Sequence, residues 1–123
     1  MKFNNIEIYN IASNIAKYLQ DLNEYIPAKT NFFLQKNINI ITEAAKEIEE
    51  ARIKIAKHYG ELNKENNEYN IPVENKEKAL VELEDLFNIE QEIDIKTISL
   101  TDLEGVKLTP MQMQTIMFMI SED

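Results

Sequence analysis

The chain has no cysteine, two glycines, three prolines and a single histidine. Without cysteine there is no disulfide and no thiolate metal site. That absence also permits a reducing compartment. Gly60 and Gly105 stand far apart, so no glycine-rich phosphate loop is present. His58 alone makes no metal cluster and no dyad with a nearby nucleophile, and its place beside a helix end suits a capping role. The longest apolar run, residues 116–120, falls far short of the ~20 residues a membrane helix needs. The opening Met1-Lys2-Phe3-Asn4-Asn5 lacks the charged start and apolar run of a secretion signal.

What is present is acid, isoleucine and helical periodicity. The 123 residues fit one compact domain, 1–123, with a net charge of −9. Residues 1–60 carry eight basic and seven acidic side chains, and residues 61–123 carry five and fifteen. The acidic half repels phosphates, which argues against generic nucleic-acid binding. Such a half is either a solvated surface or a face that docks on a basic partner.

Residues 28–59 contain neither proline nor glycine. Leu34, Ile41, Ile48, Ile55 and Leu62 form one row, and Ile38, Ala45, Arg52 and Tyr59 form the other, which is the spacing of a long helix in a bundle. Pro27 suits its first turn, and Gly60 suits a left-handed cap at its end. A first helix is expected over roughly 6–23, from Ile8, Ile11, Ile15, Leu19 and Leu22, with Asn4 or Asn5 as its N-cap. The asparagine-rich stretch 61–72 reads as an exposed connector. A third helix follows over 73–89, with Val73, Leu80, Leu83 and Phe87 as its apolar stripe. Residues 92–99 alternate as a strand does, and a lone strand needs a partner: the N-terminal residues, another subunit or a target. Thr109-Pro110-Met111-Gln112 is a helix start, opening a last helix over about 110–120. The expected fold is therefore mainly α, a small bundle around one long central helix with a minor β element near 92–99.

Arg52 interrupts an apolar row. It either pairs at the seam edge with a carboxylate such as Glu49, or presents its guanidinium to an anionic ligand. On another face of the same helix Phe33, Lys36, Asn37 and Ile40 share one side. There Lys36 and Asn37 either snorkel and hydrate or form a polar recognition pair. Lys36, Asn37, Arg52 and Tyr59 are thus the candidate ligand- or partner-binding residues. Met113, Met117 and Phe118 lie in a C-terminal stretch that is apolar nearly all round. Together with Phe33 and Ile40 they form the candidate oligomer interface, with core packing as the alternative. The carboxylates look like a solvated face, and Asp94, Asp102 and Glu104 lack calcium-loop spacing. No catalytic residue, metal site or cofactor is expected.

Several motifs together resemble a family of small phage-encoded proteins of uncharacterised function. They are Ile26-Pro27-Ala28-Lys29, Phe33 with Lys36-Asn37-Ile38, Glu50, Arg52 and Lys57-His58-Tyr59-Gly60. Glu90-Gln91-Glu92-Ile93-Asp94-Ile95, Leu108-Thr109-Pro110 and Phe118-Met119-Ile120 complete the set. The resemblance implies a phage or prophage origin and action in the bacterial host cytoplasm or on a virion. It carries over no catalytic residue; Lys36-Asn37 and Arg52 match its recurring polar positions. The expectation is a non-enzymatic, homo-oligomeric interaction protein serving as a virion or assembly accessory. The alternative is an antagonist of host defence that sequesters an anionic nucleotide or masks a basic host protein surface. The partner is then a phage or host protein, with no membrane and no direct nucleic-acid contact.

Overall fold

The computed structural model describes residues 1–121 and is mainly α. A short strand, β1 (Lys2–Asn4), leads directly into α1 (Asn5–Tyr18). Asn4 is the N-cap: its side chain accepts from the Glu7 N–H at 2.8 Å, and the Glu7 carboxylate accepts from the Asn4 N–H at 3.0 Å. That reciprocal pair satisfies donors that a helix start otherwise leaves open. The helix ends earlier than the expected residue 23. Leu19 and Leu22 remain apolar because they pack onto the core from the following loop.

The second helix, α2 (Ala28–Tyr59), has the expected limits. Gly60 ends it in extended rather than left-handed backbone (φ −127°). A Cβ there would lie 2.8 Å from the Asn70 carbonyl oxygen and 3.0 Å from that of Ala56, so glycine is required by close approach. The segment expected to be a connector is instead a hairpin of β2 (Glu61–Asn63) and β3 (Glu68–Asn70). Its asparagines are the turn chemistry. Asn63 Oδ1 accepts from the Glu65 N–H, Asn66 Oδ1 accepts from the Glu68 N–H, and Asn67 adopts φ 58°. Two three-residue strands are too short to show a period-2 pattern.

The third helix is α3 (Val73–Phe87). Its inner face differs from the expected stripe: Ala79 is buried, and Leu83, Leu86 and Phe87 are half-buried, whereas Val73 and Leu80 face solvent. Beyond it β4 (Glu90–Glu92) pairs antiparallel with β1, so the N-terminal residues supply the partner. Residues 93–97 have no regular secondary structure and turn tightly where the Ile95 N–H donates to the Ile93 carbonyl at 3.0 Å; β5 (Ile98–Ser99) follows, then a 3-10 turn over Leu100–Leu103 and α4 (Pro110–Ile116). Thr109 caps α4 with Gln112 as its reciprocal partner. The last helix is shorter than expected: a 3-10 turn at Met117–Met119 leads to β6 (Ile120–Ser121), which runs parallel to β5.

Two apolar clusters form the core. One gathers Phe3, Ile8, Ile15, Ile41, Ala44, Ile48 and Ile93; the other gathers Ile26, Leu34, Ile98, Leu103, Ile116 and Met119. Leu19, Ile38, Ile95 and Phe118 pack against both. Each large side chain taken fully out of water contributes about 1.5–3 kcal/mol. Buried asparagines hold the irregular segments to this core. Asn5 donates to the Leu86 carbonyl at 2.8 Å and accepts from Gln91 Nε2 at 2.7 Å. Asn37 donates to the Lys96 carbonyl at 2.7 Å and accepts from the Lys96 N–H at 2.9 Å. The Asn37 amide therefore does for residue 96 what a neighbouring strand would do, pairing both its backbone N–H and its carbonyl. Among the described residues no buried side-chain N or O atom lacks a partner.

Candidate functional site

The four candidate binding residues do not meet. At 1.5 Å per residue, the sixteen positions from Lys36 to Arg52 span about 24 Å along one helix. Asn37 is fully buried, and its amide is engaged by Lys96 and by the Met119 sulfur at 3.5 Å. It is a packing clamp with nothing left to offer a ligand. Lys36 lies exposed over the Phe32 ring, 5.9 Å from its centroid.

Arg52 takes the seam-edge position. Its Nε donates to Glu49 Oε2 at 3.0 Å and its Nη2 donates to Glu49 Oε1, while the Tyr9 hydroxyl donates to Glu49 Oε2 at 3.0 Å. The Arg52 fork holds the Glu49 carboxyl below its usual value, with the Tyr9 bond adding to the effect against desolvation. The carboxylate in turn pushes Arg52 and Tyr9 up. This trio ties α1 to α2, and two of the guanidinium's five N–H donors are spent on Glu49. Tyr59 lies beyond, where the nearby Glu82 carboxylate raises the pKa of its hydroxyl. Its carbonyl accepts from Asn75 Nδ2 at 3.1 Å. The His58 ring rests on its edge, with centroids 4.6 Å apart.

The candidate interface residues are likewise distributed. Phe33, Ile40, Met113 and Phe118 are half-buried against the chain's own clusters, and Phe118 meets Phe3 edge-to-face at 6.2 Å. Met117 alone of the five is exposed.

What the structure does assemble is a groove near the end of α2. A recess of about 630 Å³ is lined by Arg52, Ile53, Lys57, Leu62, Tyr69 and Leu83, among others. A second, of about 510 Å³, shares Tyr69, Ile71 and Leu83 with it and continues past Lys76 and Leu80. Two large apolar side chains that line this double recess stay in water, Leu62 at 46% exposure and Leu80 at 56%; Val73 and Val81 of α3 are also exposed but line neither recess. From Glu49 through Lys78 no described residue is buried. Sequence reasoning placed Leu62 and Leu80 in the core, and it missed Tyr69, which lines both recesses. The available signal was the adjacent pair Leu80-Val81, which puts apolar side chains on two faces of a helix whose inner face is already filled by Ala79, Leu83 and Leu86.

A separate recess of about 600 Å³ under the 3-10 turn is walled by Leu100, Leu103, Val106, Leu108 and Met113, with Glu104. Among the described residues no group of three or more His, Asp or Glu side chains is placed to hold a metal. None of the described helices is long and apolar enough to cross a membrane. No family model matches the chain, and neither a curated protein nor a solved structure matches it.

Proposed function

We propose that the chain is a non-enzymatic interaction protein that works through the groove between the end of α2, the β2–β3 hairpin and α3. The observation that carries this reading is that exposed Leu62 and Leu80, with half-buried Tyr69, Ile71 and Leu83, line one double recess. Scattered exposed apolar residues are ordinary, but a contiguous group beside a concavity is the mark of a surface that another molecule covers. On this reading α2 is the spine of a small bundle, with its first two thirds anchored and its last third on display.

The family resemblance supplies a setting, a phage-encoded protein acting in the host cytoplasm or on a virion. There the groove serves a virion or assembly accessory, or an antagonist that masks a basic host protein surface. Sequestration of an anionic nucleotide has less support, because Lys36 and Arg52 are far apart and Arg52 is already bound by Glu49. Self-association through Phe33, Ile40, Met113 and Phe118 is also less supported, since the chain's own core already covers much of them.

Amine-reactive cross-linking in cells that express the chain tests the proposal. Cross-links from Lys57 and Lys76 to one other protein are expected, and a Leu62→Ser/Leu80→Ser variant should lose them. Cross-links spread equally over Lys2, Lys17 and Lys54, with no effect of the variant, would overturn it.

A further inference from the structure

We infer that the occupant of the groove is a segment of another protein with an apolar middle and carboxylates at its two ends. This rests on the interaction reading above and adds the chemistry of the partner.

The groove is where this acidic chain collects its cations. Residues 49–92 hold six lysines or arginines and twelve aspartates or glutamates. Three of the six cations, Arg52, Lys57 and Lys76, line the double recess; of the twelve carboxylates only Glu68 does. Glu68 already accepts from Asn66 Nδ2 at 3.4 Å, within its own hairpin. Lys57 and Lys76 form no ion pair among the described residues. Arg52 gives two of its five N–H donors to Glu49 and keeps three. The two lysines therefore carry the unmatched charge, and Arg52 adds donors suited to a carboxylate.

The order of the lining residues sets the pattern of the occupant. Lys76 and Leu80 belong to one recess, Arg52 and Lys57 to the other, and Tyr69, Ile71 and Leu83 to both. A cation thus stands towards each end, with an apolar stretch between. Lys76 to Leu83 is seven residues of α3, about 10 Å at 1.5 Å per residue, and Lys57 lies in the recess beyond. The small Ala56 and Ala79 line one recess each, which leaves room between the longer side chains. Apolar anchors in the middle supply burial, while the charged ends fix register and turn away basic segments.

The net charge of −9 opposes an acidic partner only at a distance. Physiological salt screens such a field beyond about 8 Å, whereas the lining acts at contact. The same field turns away acidic chains that lack the apolar middle, so both parts of the pattern are needed. A basic segment would have Glu68 alone in its favour. Masking of a basic host surface would then fall to the carboxylates outside the groove.

The test uses a fluorescein-labelled ten-residue peptide, read by anisotropy. It has glutamate at positions 1, 2, 9 and 10, leucine at 4, 5, 7 and 8, and serine at 3 and 6. One control has the same composition with the glutamates in the middle, and another carries lysine in place of every glutamate. The first peptide is expected to bind at least tenfold more tightly than either control. Lys57→Glu/Lys76→Glu should weaken it at least tenfold and strengthen the lysine peptide. Lys54→Glu, at an exposed position that lines neither recess, should change little. Leu80→Ser should weaken the first peptide at least fivefold. All three sites are exposed, so the melting temperature should hold in each variant. Equal binding of the rearranged peptide, or an equal effect of Lys54→Glu, overturns the inference. A lysine peptide that binds better, and still needs Leu80, overturns the acidic partner while leaving the interaction reading intact. Dimerisation seen by light scattering and abolished by Lys57→Glu/Lys76→Glu makes a second copy the occupant and also overturns it. Loss of the interaction reading itself is recognised separately, by the cross-linking outcome above.

Discussion

The first two thirds of α2 and its last third share one apolar repeat and meet different fates. Thr30, Leu34, Asn37, Ile41, Ala44 and Ile48 are buried; from Glu49 to Tyr59 no residue is. The row Leu34, Ile41, Ile48, Ile55 runs through both parts without a break. The difference lies opposite the helix. Along the first part α1, the segment 93–99 and the C-terminal quarter close over it, whereas the last part meets a small hairpin and the open start of α3. Periodicity tells which side of a helix is apolar; it does not tell how much chain is available to cover that side.

Mutations sharpen this contrast. Ile41→Ala, at a fully buried position, is expected to cost about 3–4 kcal/mol, whereas Ile55→Ala, half-buried at the groove, is expected to cost about 1 kcal/mol. Urea unfolding of the two variants decides it, and equal losses would break the comparison. Asn37→Ala should come next. It takes away the partner of both the Lys96 N–H and carbonyl, bonds that are only part-buried, and is expected to cost about 2 kcal/mol by the same measurement.

The smallest effect belongs to the boundary between the two regions. Glu49 and Arg52 are each at least a third exposed, so solvent screening limits their pair to about 0.5 kcal/mol. The Glu49 carboxyl titrates lower in the folded chain than its usual value of 4.5, so folding favours the ionised form. Its contribution is complete above that usual value and fades as pH falls through the lowered one. Glu49→Gln should therefore reduce stability slightly at neutral pH, and the gap from the parent chain should close on acidification. A gap that persists unchanged into strong acid would show that the loss comes from packing.

Much of the fold was legible where single residues punctuate the chain. Pro27 and Gly60 bracket α2, Asn4 starts α1, and Thr109-Pro110 with Gln112 starts α4. Gly60 marked the right place for a different reason, since the hairpin carbonyl at Asn70 crowds it. Pairing with Glu49 was one of the two readings open for Arg52, because the two lie three residues apart on a helix. The hairpin was hidden because its strands are short. The exposed side of α3 was hidden because Val73, Leu80, Leu83 and Phe87 satisfy helical spacing whichever way the helix is turned. Only the small Ala79 and its neighbours, packed on the interior, fix that rotation. The candidate site was the least legible feature, for it is made of seam and stripe residues that the fold leaves uncovered.

Asn37 has one further consequence. Its amide carries the Lys96 backbone and touches Met119, so two stretches of chain far apart in sequence are released by the movement of one side chain. The Lys96 amide hydrogen is therefore a built-in clock. Its exchange with deuterated solvent should be slow for so exposed a residue, and should match the rates of buried amides around Ile98 and Met119. When it quickens ahead of those of Ile41 and Ile48, the last quarter of the chain is detaching while the rest stays folded.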